Sequence, residues 1–288
     1  MTELPTDAVP PRSVLDAFGV AGRPVPLDGG QGRSVLVGGY VFKPADGPED
    51  ETEWATALFE GLAPDSGLRV PRPLRAMDGR CAVDGWTAGG FLTGRTGPRG
   101  HWAGVLAAGR AFHAALRHSP RPGFLDRRTH PWAVADRVAW GEQDVGVLDG
   151  LAAPFATLLE LRRPVDQSTA QLVHGDLAGN VLFAPGEPPA VIDFSPYWRP
   201  PAFAEAVALM DGLLWYGLPP GLLTAGGTSA RPPTAAPHPD RHQLLLRALL
   251  FRLVAYSELV RSSGRPVTGE AERYARAADV VARMRPTS

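Results

Sequence analysis

The spacing of apolar residues changes character near residue 100. Before that point short alternating runs dominate: residues 33–37 and 40–43 read as strands joined by Gly38-Gly39, the chemistry of a two-residue hairpin turn. Residues 74–77 and 80–84, separated by Asp78-Gly79, predict a second hairpin. Between the two, residues 49–62 carry helical spacing, with Trp54, Leu58, Leu62 and Glu51 on one face and Glu53 turned away. An acid on an apolar stripe needs a partner. A short helix over residues 12–18, closed by Gly19, precedes this sheet-rich stretch.

Beyond residue 100 the period lengthens. Trp102, Val105, Leu106, Gly109, Phe112, His113 and Leu116 form one helical stripe, and further helices are expected over 131–142, 149–162, 203–215, 242–261 and 270–284. Short apolar runs at 171–173, 181–183 and 190–194 interrupt them as strands. Residues 217–241, crowded with Pro, Gly, Ala and Thr, predict a mobile loop without packed structure. The class is therefore α+β: a tail and short helix over 1–23, a small antiparallel-sheet lobe with one helix over 24–90, and a larger, mostly helical lobe over 91–288.

With 44% hydrophobic and 20% charged residues, the chain can bury a substantial core. A formal net charge of -1 gives no electrostatic footprint for nucleic acid or an anionic membrane, so the expected partner is a small molecule. The longest apolar stretch, 244–260, is interrupted by Arg247, Arg252 and Glu258 and reads as an amphipathic core helix rather than a membrane span. Residues 1–12 do not read as a secretory leader. The single cysteine, Cys81, forms no internal disulfide, which fits a reducing cytoplasm. Basic charge is carried by arginine with one exception, Lys43. A lone lysine marks a place where a compact ammonium serves and a planar guanidinium does not.

The sharpest chemistry lies in His174-Gly175-Asp176-Leu177-Ala178-Gly179-Asn180, followed by Asp193 in Val191-Ile192-Asp193-Phe194. Both acids follow apolar strands, so the spacing lets Asp176 and Asp193 emerge at strand ends into one cleft with Asn180 between them. That set suits magnesium and a hydroxyl nucleophile. Gly29, Gly30 and Gly32 form a turn whose bare backbone either approaches a phosphate or is simply a turn.

On these motifs the sequence resembles the aminoglycoside phosphotransferase and choline kinase superfamily, relatives of protein kinases, and within it an actinobacterial branch that shares segments like 171–177 and 195–200. The resemblance implies a two-lobed kinase-like fold using ATP and Mg2+ to phosphorylate a small-molecule hydroxyl. By position it makes Asp176 the residue that orients or deprotonates the acceptor, Asn180 and Asp193 the magnesium ligands, and Lys43 the phosphate-binding lysine paired with Glu51. It makes Gly29, Gly30 and Gly32 the nucleotide cover. It places the adenine-receiving hinge at 83–87, including Val83, Gly85 and Trp86, and has His174 brace the catalytic loop while His113 stays structural.

Three departures accompany the resemblance. Asn180 follows Asp176 by four residues where five is usual, the acid about a dozen residues past Asp193 is out of register, and the glycine-rich turn is compressed. The short loop leaves two alternatives: a tighter turn at Ala178-Gly179 with Asn180 still reaching metal, or magnesium held differently and catalysis impaired; the same spacing motivates a second reading, a nucleotide-binding pseudokinase with a regulatory role. A metal-dependent hydrolase using His174 and Asp176 is the third reading. His238 and His242 suggest a helix start more than a metal site, and Tyr197, Trp198 and Trp215 suit an acceptor pocket or ordinary core equally. Between 200 and 241 the only acids are Glu205, Asp211 and Asp240, too few to desolvate a polycationic aminoglycoside.

Overall fold

The computed structural model describes residues 9–27, 33–45, 47–62, 67–224 and 238–284. It comprises two compact units, Met1–Arg95 with Leu182–Asp193, and Thr96–Val181 with Phe194–Ser288. The segment containing Asp193 thus belongs with the sheet-rich unit although it lies far along the chain.

In the first unit, helix α1 (Arg12–Ala17) ends at Gly19, which has φ +67°. Strands β1 (Val25–Pro26), β2 (Val35–Val37), β3 (Tyr40–Pro44), β4 (Pro73–Leu74) and β5 (Trp86–Gly90) form an antiparallel sheet in the order β1-β2-β3-β5-β4. Gly38 and Gly39 both take positive φ and set Val37 opposite Tyr40, the hairpin expected from their sequence. Val14, Leu15 and Phe18 of the α1 segment pack on Val35, Val37 and Phe42, with Phe18 edge-on to Phe42 at 5.6 Å. Helix α2 (Glu49–Gly61) starts after Pro48 with three acids in its first turn, which complement the positive end of the helix dipole.

The second expected hairpin is displaced. Asp78-Gly79 does turn the chain, but residues 80–84 form no strand. Asp84 and Gly85 make a second tight turn at φ 48° and 77°, across which Val83 and Trp86 exchange backbone hydrogen bonds of 2.9 and 2.8 Å. The strand that results is β5, which pairs with both β3 and β4.

Strand β6 (Arg95–Thr96) carries the chain from the first unit into the second, which then builds α3 (Trp102–Leu116), α4 (Pro131–Trp140) and α5 (Ala152–Leu161). Strands β7 (Gln171–His174), β8 (Val181–Phe183), β9 (Ala190–Val191) and β10 (Pro196–Arg199) follow, then α6 (Pro201–Trp215), α7 (Gly221–Thr224), α8 (Arg241–Ser263) and α9 (Glu270–Arg283). Most of β8 and all of β9 lie in the segment assigned to the first unit. There Arg69 fastens the segment: its Nε donates to Pro188 O at 2.8 Å and its guanidinium pairs with Glu187. Strand β10, unforeseen in the sequence, pairs antiparallel with β7 so that Pro196 faces His174 and Arg199 faces Gln171.

Two expectations are corrected here. Helix α8 is not amphipathic: every residue from 244 to 255 is buried, including Arg247 and Arg252, because the helix runs through the centre of this unit and packs on α4, α6 and α9. Residues 217–224 are not loose either. Leu218 and Leu223 are buried, α7 forms, and Arg241 Nε donates to Leu223 O at 2.7 Å; residues 225–237 of the expected loop lie outside the described residues. His238 Nδ1 accepts from Asp240 N just before α8 and His242 Nε2 meets Val281 O, so the pair serves helix start and packing. Among the described residues no helix is long and apolar enough to cross a membrane.

Candidate active site

In the first unit, Lys43 lies on β3 opposite Thr87 of β5, whose Oγ1 donates to Lys43 O at 3.2 Å. Lys43 Nζ donates to Asp193 Oδ1 at 3.1 Å, and both side chains are 38% exposed. An ion pair so exposed contributes at most about 1 kcal/mol to stability. Asp193 also sits at φ 49°, a left-handed conformation that costs a side-chain-bearing residue about 1–3 kcal/mol and concentrates at functional positions. The pair therefore adds little to the fold and sets a cation and a carboxylate on an accessible surface. Glu51 occupies the first turn of α2, half-buried, with its carboxylate against Gly47.

The hinge expectation for Val83, Gly85 and Trp86 is corrected. Val83 and Trp86 are buried in the core of the first unit and Gly85 makes the turn that enters β5, whereas the chain leaves this unit only at Arg95. Gly29, Gly30 and Gly32 lie outside the described residues.

In the second unit β7 delivers His174-Gly175-Asp176. A Cβ at Gly175 would fall inside contact distance of the Tyr197 ring, which β10 holds buried against this strand. Gly175→Ala is accordingly expected to cost about 1–3 kcal/mol, as overpacking does, measurable as a lowered midpoint in urea unfolding. His174 is fully buried between the edges of Phe112 and Phe194, and its Nδ1 accepts the Asp176 N–H at 3.1 Å. His113 Nε2 in turn accepts the His174 N–H at 3.0 Å. Burial, aided by the neighbouring His174, drops the His113 pKa to about 3, so the ring is neutral and able to accept.

The short catalytic loop closes on itself. Asn180 N donates to Leu177 O at 3.0 Å, and Asn180 Nδ2 donates to Asp176 O at 2.7 Å and Asp176 Oδ2 at 3.1 Å. These bonds fold the loop tightly onto Asp176. Because the amide spends its donors on Asp176, its carbonyl Oδ1 is the end suited to a cation.

Two residues of this constellation were missed in the sequence. Arg252 Nη2 donates to the other Asp176 oxygen, Oδ1, at 2.6 Å, and the same guanidinium grips Asp211 through Nε and Nη2, each at 2.6 Å. Burial favours protonation of Asp176, but the Arg252 charge, with His174 and hydrogen bonds from Arg252 and Asn180, outweighs it and holds the carboxyl below its usual range. For Asp211 burial dominates and raises the carboxyl to about 6 despite Arg252. The available signal was an arginine and an aspartate each set inside long apolar helical runs, which requires that they meet a partner. Glu205, on α6, accepts from Arg110 at 2.6 and 3.0 Å.

The sequence model described as "Phosphotransferase enzyme family" matches residues 25–211. No match is found among curated proteins. Among solved structures, an AMP-bound spectinomycin phosphotransferase is 14% identical, covering 93% of this chain and 96% of that one, with a TM-score of 0.57. The choline kinase LicA from Streptococcus pneumoniae is 13% identical over 94% and 97% of the two chains, also with a TM-score of 0.57. An aminoglycoside phosphotransferase from Alicyclobacillus acidocaldarius is 15% identical over 97% and 94%, with a TM-score of 0.55. This likeness establishes the α+β, kinase-like fold expected from the sequence.

Proposed function

As this chain belongs to the phosphotransferase enzyme family, we propose that it transfers the γ-phosphoryl group of ATP to a hydroxyl of a small molecule. The observation that carries this reading is the state of Asp176: both carboxylate oxygens are fixed, one by Arg252 and one by Asn180, yet the side chain remains 48% exposed. A carboxylate ionised, oriented and accessible is what an incoming hydroxyl requires.

In the reaction, the acceptor oxygen forms a bond to the γ-phosphorus as the bond from that phosphorus to the bridging oxygen of ADP breaks. The hydroxyl proton passes to Asp176. Because phosphoryl transfer runs through a loose transition state, Asp176 acts chiefly by orientation, and a strongly basic carboxylate is unnecessary. Lys43 binds the α- and β-phosphates and Glu51 offers it a second carboxylate, while the backbone of Gly29, Gly30 and Gly32 covers the nucleotide. Asp193 and Asn180 Oδ1 are hard oxygen donors of the kind magnesium takes. Magnesium is commonly held by one or two protein oxygens together with substrate phosphates. Magnesium held there would supply neutralising charge to the transferring phosphoryl group.

The acceptor in this reading is not a polycation. Glu205 is committed to Arg110 and Asp211 to Arg252, so neither is available to compensate substrate ammonium groups.

The test is nucleotide-dependent thermal stabilisation. With MgATP tenfold above its dissociation constant, the melting temperature of the wild type should rise by about 2–5 °C, and Lys43→Ala and Asp193→Ala should lose most of the rise. No rise in the wild type at millimolar MgATP would contradict the reading.

A further inference from the structure

Arg252 lies inside a central helix, and its side chain is only 4% exposed. Its guanidinium carbon stands 5.3 Å from the Trp132 ring, 5.9 Å from Trp215 and 5.2 Å from Phe251, and its Nη2 donates to both Asp176 and Asp211. Aromatic faces combined with carboxylates are the chemistry that recognises an ammonium ligand. Here that enclosure abuts the candidate catalytic carboxylate and is filled by the protein's own cation.

We infer that Arg252 determines acceptor specificity: its guanidinium occupies the aromatic and acidic enclosure beside Asp176, restricting the acceptor to a hydroxyl compound with no cationic group near the reacting hydroxyl. A substrate ammonium entering this place would have to displace Arg252, leaving Asp211, almost wholly buried, without its counterion. The nearest alternative acid on α6, Glu205, is already bound bidentately by Arg110. An uncharged hydroxyl compound meets neither obstacle, because it needs only the exposed part of Asp176. The word acceptor rests on the phosphotransferase reading, whereas the filled enclosure does not.

Tetramethylammonium chloride, which cannot be phosphorylated, probes the enclosure without relying on turnover. Melting curves and tryptophan fluorescence are recorded against matched sodium chloride for the wild type and Arg252→Ala. The wild type should show no specific response, whereas Arg252→Ala should gain a saturable fluorescence change from Trp132 and Trp215 and a rise of about 2–4 °C at tenfold excess over the dissociation constant. Should Arg252→Ala not fold, Arg252→Ala combined with Asp211→Asn removes the uncompensated buried charge and should still gain the response through Asp176 and the rings. Saturable binding by the wild type, or its absence from the foldable variant, overturns the inference. MgATP stabilisation of the wild type, run in parallel, reports separately on the phosphotransferase reading, since it does not depend on what fills the enclosure.

Discussion

Asp176→Asn is expected to lower ATP-dependent phosphorylation by about 10²–10⁴-fold, the range for loss of a positioned proton acceptor, while leaving MgATP-induced stabilisation intact. The substitution keeps the side chain's shape but removes the charge that orients the acceptor hydroxyl. Folding should survive, because Arg252 retains its bidentate contact with the buried Asp211 and Asn180 still donates to the backbone carbonyl of residue 176. The two readouts therefore separate: steady-state rates report on Asp176, and the melting shift reports on Lys43 and Asp193. A variant retaining activity within tenfold of the wild type would remove Asp176 from the mechanism.

Arg199→Met should produce the largest loss of stability. Arg199, on β10, is 8% exposed; its Nε and Nη2 donate to Asp136 at 3.1 and 2.7 Å, and its Nη1 and Nη2 to Glu142 at 2.7 and 2.9 Å. It also lies 4.7 Å from the Trp140 ring, so it fastens β10, and through it β7, to α4. Removing it strands the buried Asp136 carboxylate, a change that costs about 3–5 kcal/mol and, at about 2–4 °C per kcal/mol for a chain of this size, lowers the melting temperature by roughly 10 °C. Arg199→Met combined with Asp136→Asn should recover much of that loss.

The pH dependence gives an independent sign. Burial is the largest influence on Asp136 and raises its carboxyl even with Arg199 present; without Arg199 the rise grows. A carboxyl whose folded-state pKa exceeds the unfolded value binds its proton more tightly in the folded protein, so it favours folding at low pH and loses that contribution as pH rises through the folded pKa. The stability gap between wild type and Arg199→Met should therefore narrow from about pH 7 to about pH 5. Denaturant unfolding at several pH values measures it, and a widening gap would show that Arg199 acts by packing alone.

What the sequence disclosed was local. Gly38-Gly39 announced a hairpin because two adjacent residues tolerate positive φ, and the stripe from Trp102 to Leu116 announced a helix because its spacing matches one face. Lys43, Asp176, Asn180 and Asp193 could be picked out because each sits within or close beside a short apolar strand. Arg252 could not be assigned to Asp176, because the partners are 76 positions apart and no periodicity encodes that pairing. The Arg199–Asp136 pair, 63 positions apart, was hidden for the same reason. Strand β10 escaped notice because it begins on Pro196 and is followed by Pro200, and β5 because its two glycines weaken the strand signal while Asp78-Gly79 competed with Asp84-Gly85 as the turn.

The most direct measurement is transfer of label from ATP carrying radioactive phosphorus at the γ position into a deproteinised metabolite extract, separated to resolve organic phosphates from inorganic phosphate. The account predicts a labelled phosphate ester that forms with wild-type protein and magnesium and is nearly absent with Asp176→Asn. Equal labelling by wild type and Asp176→Asn, or binding of MgATP with no labelled ester from the wild type, would contradict it.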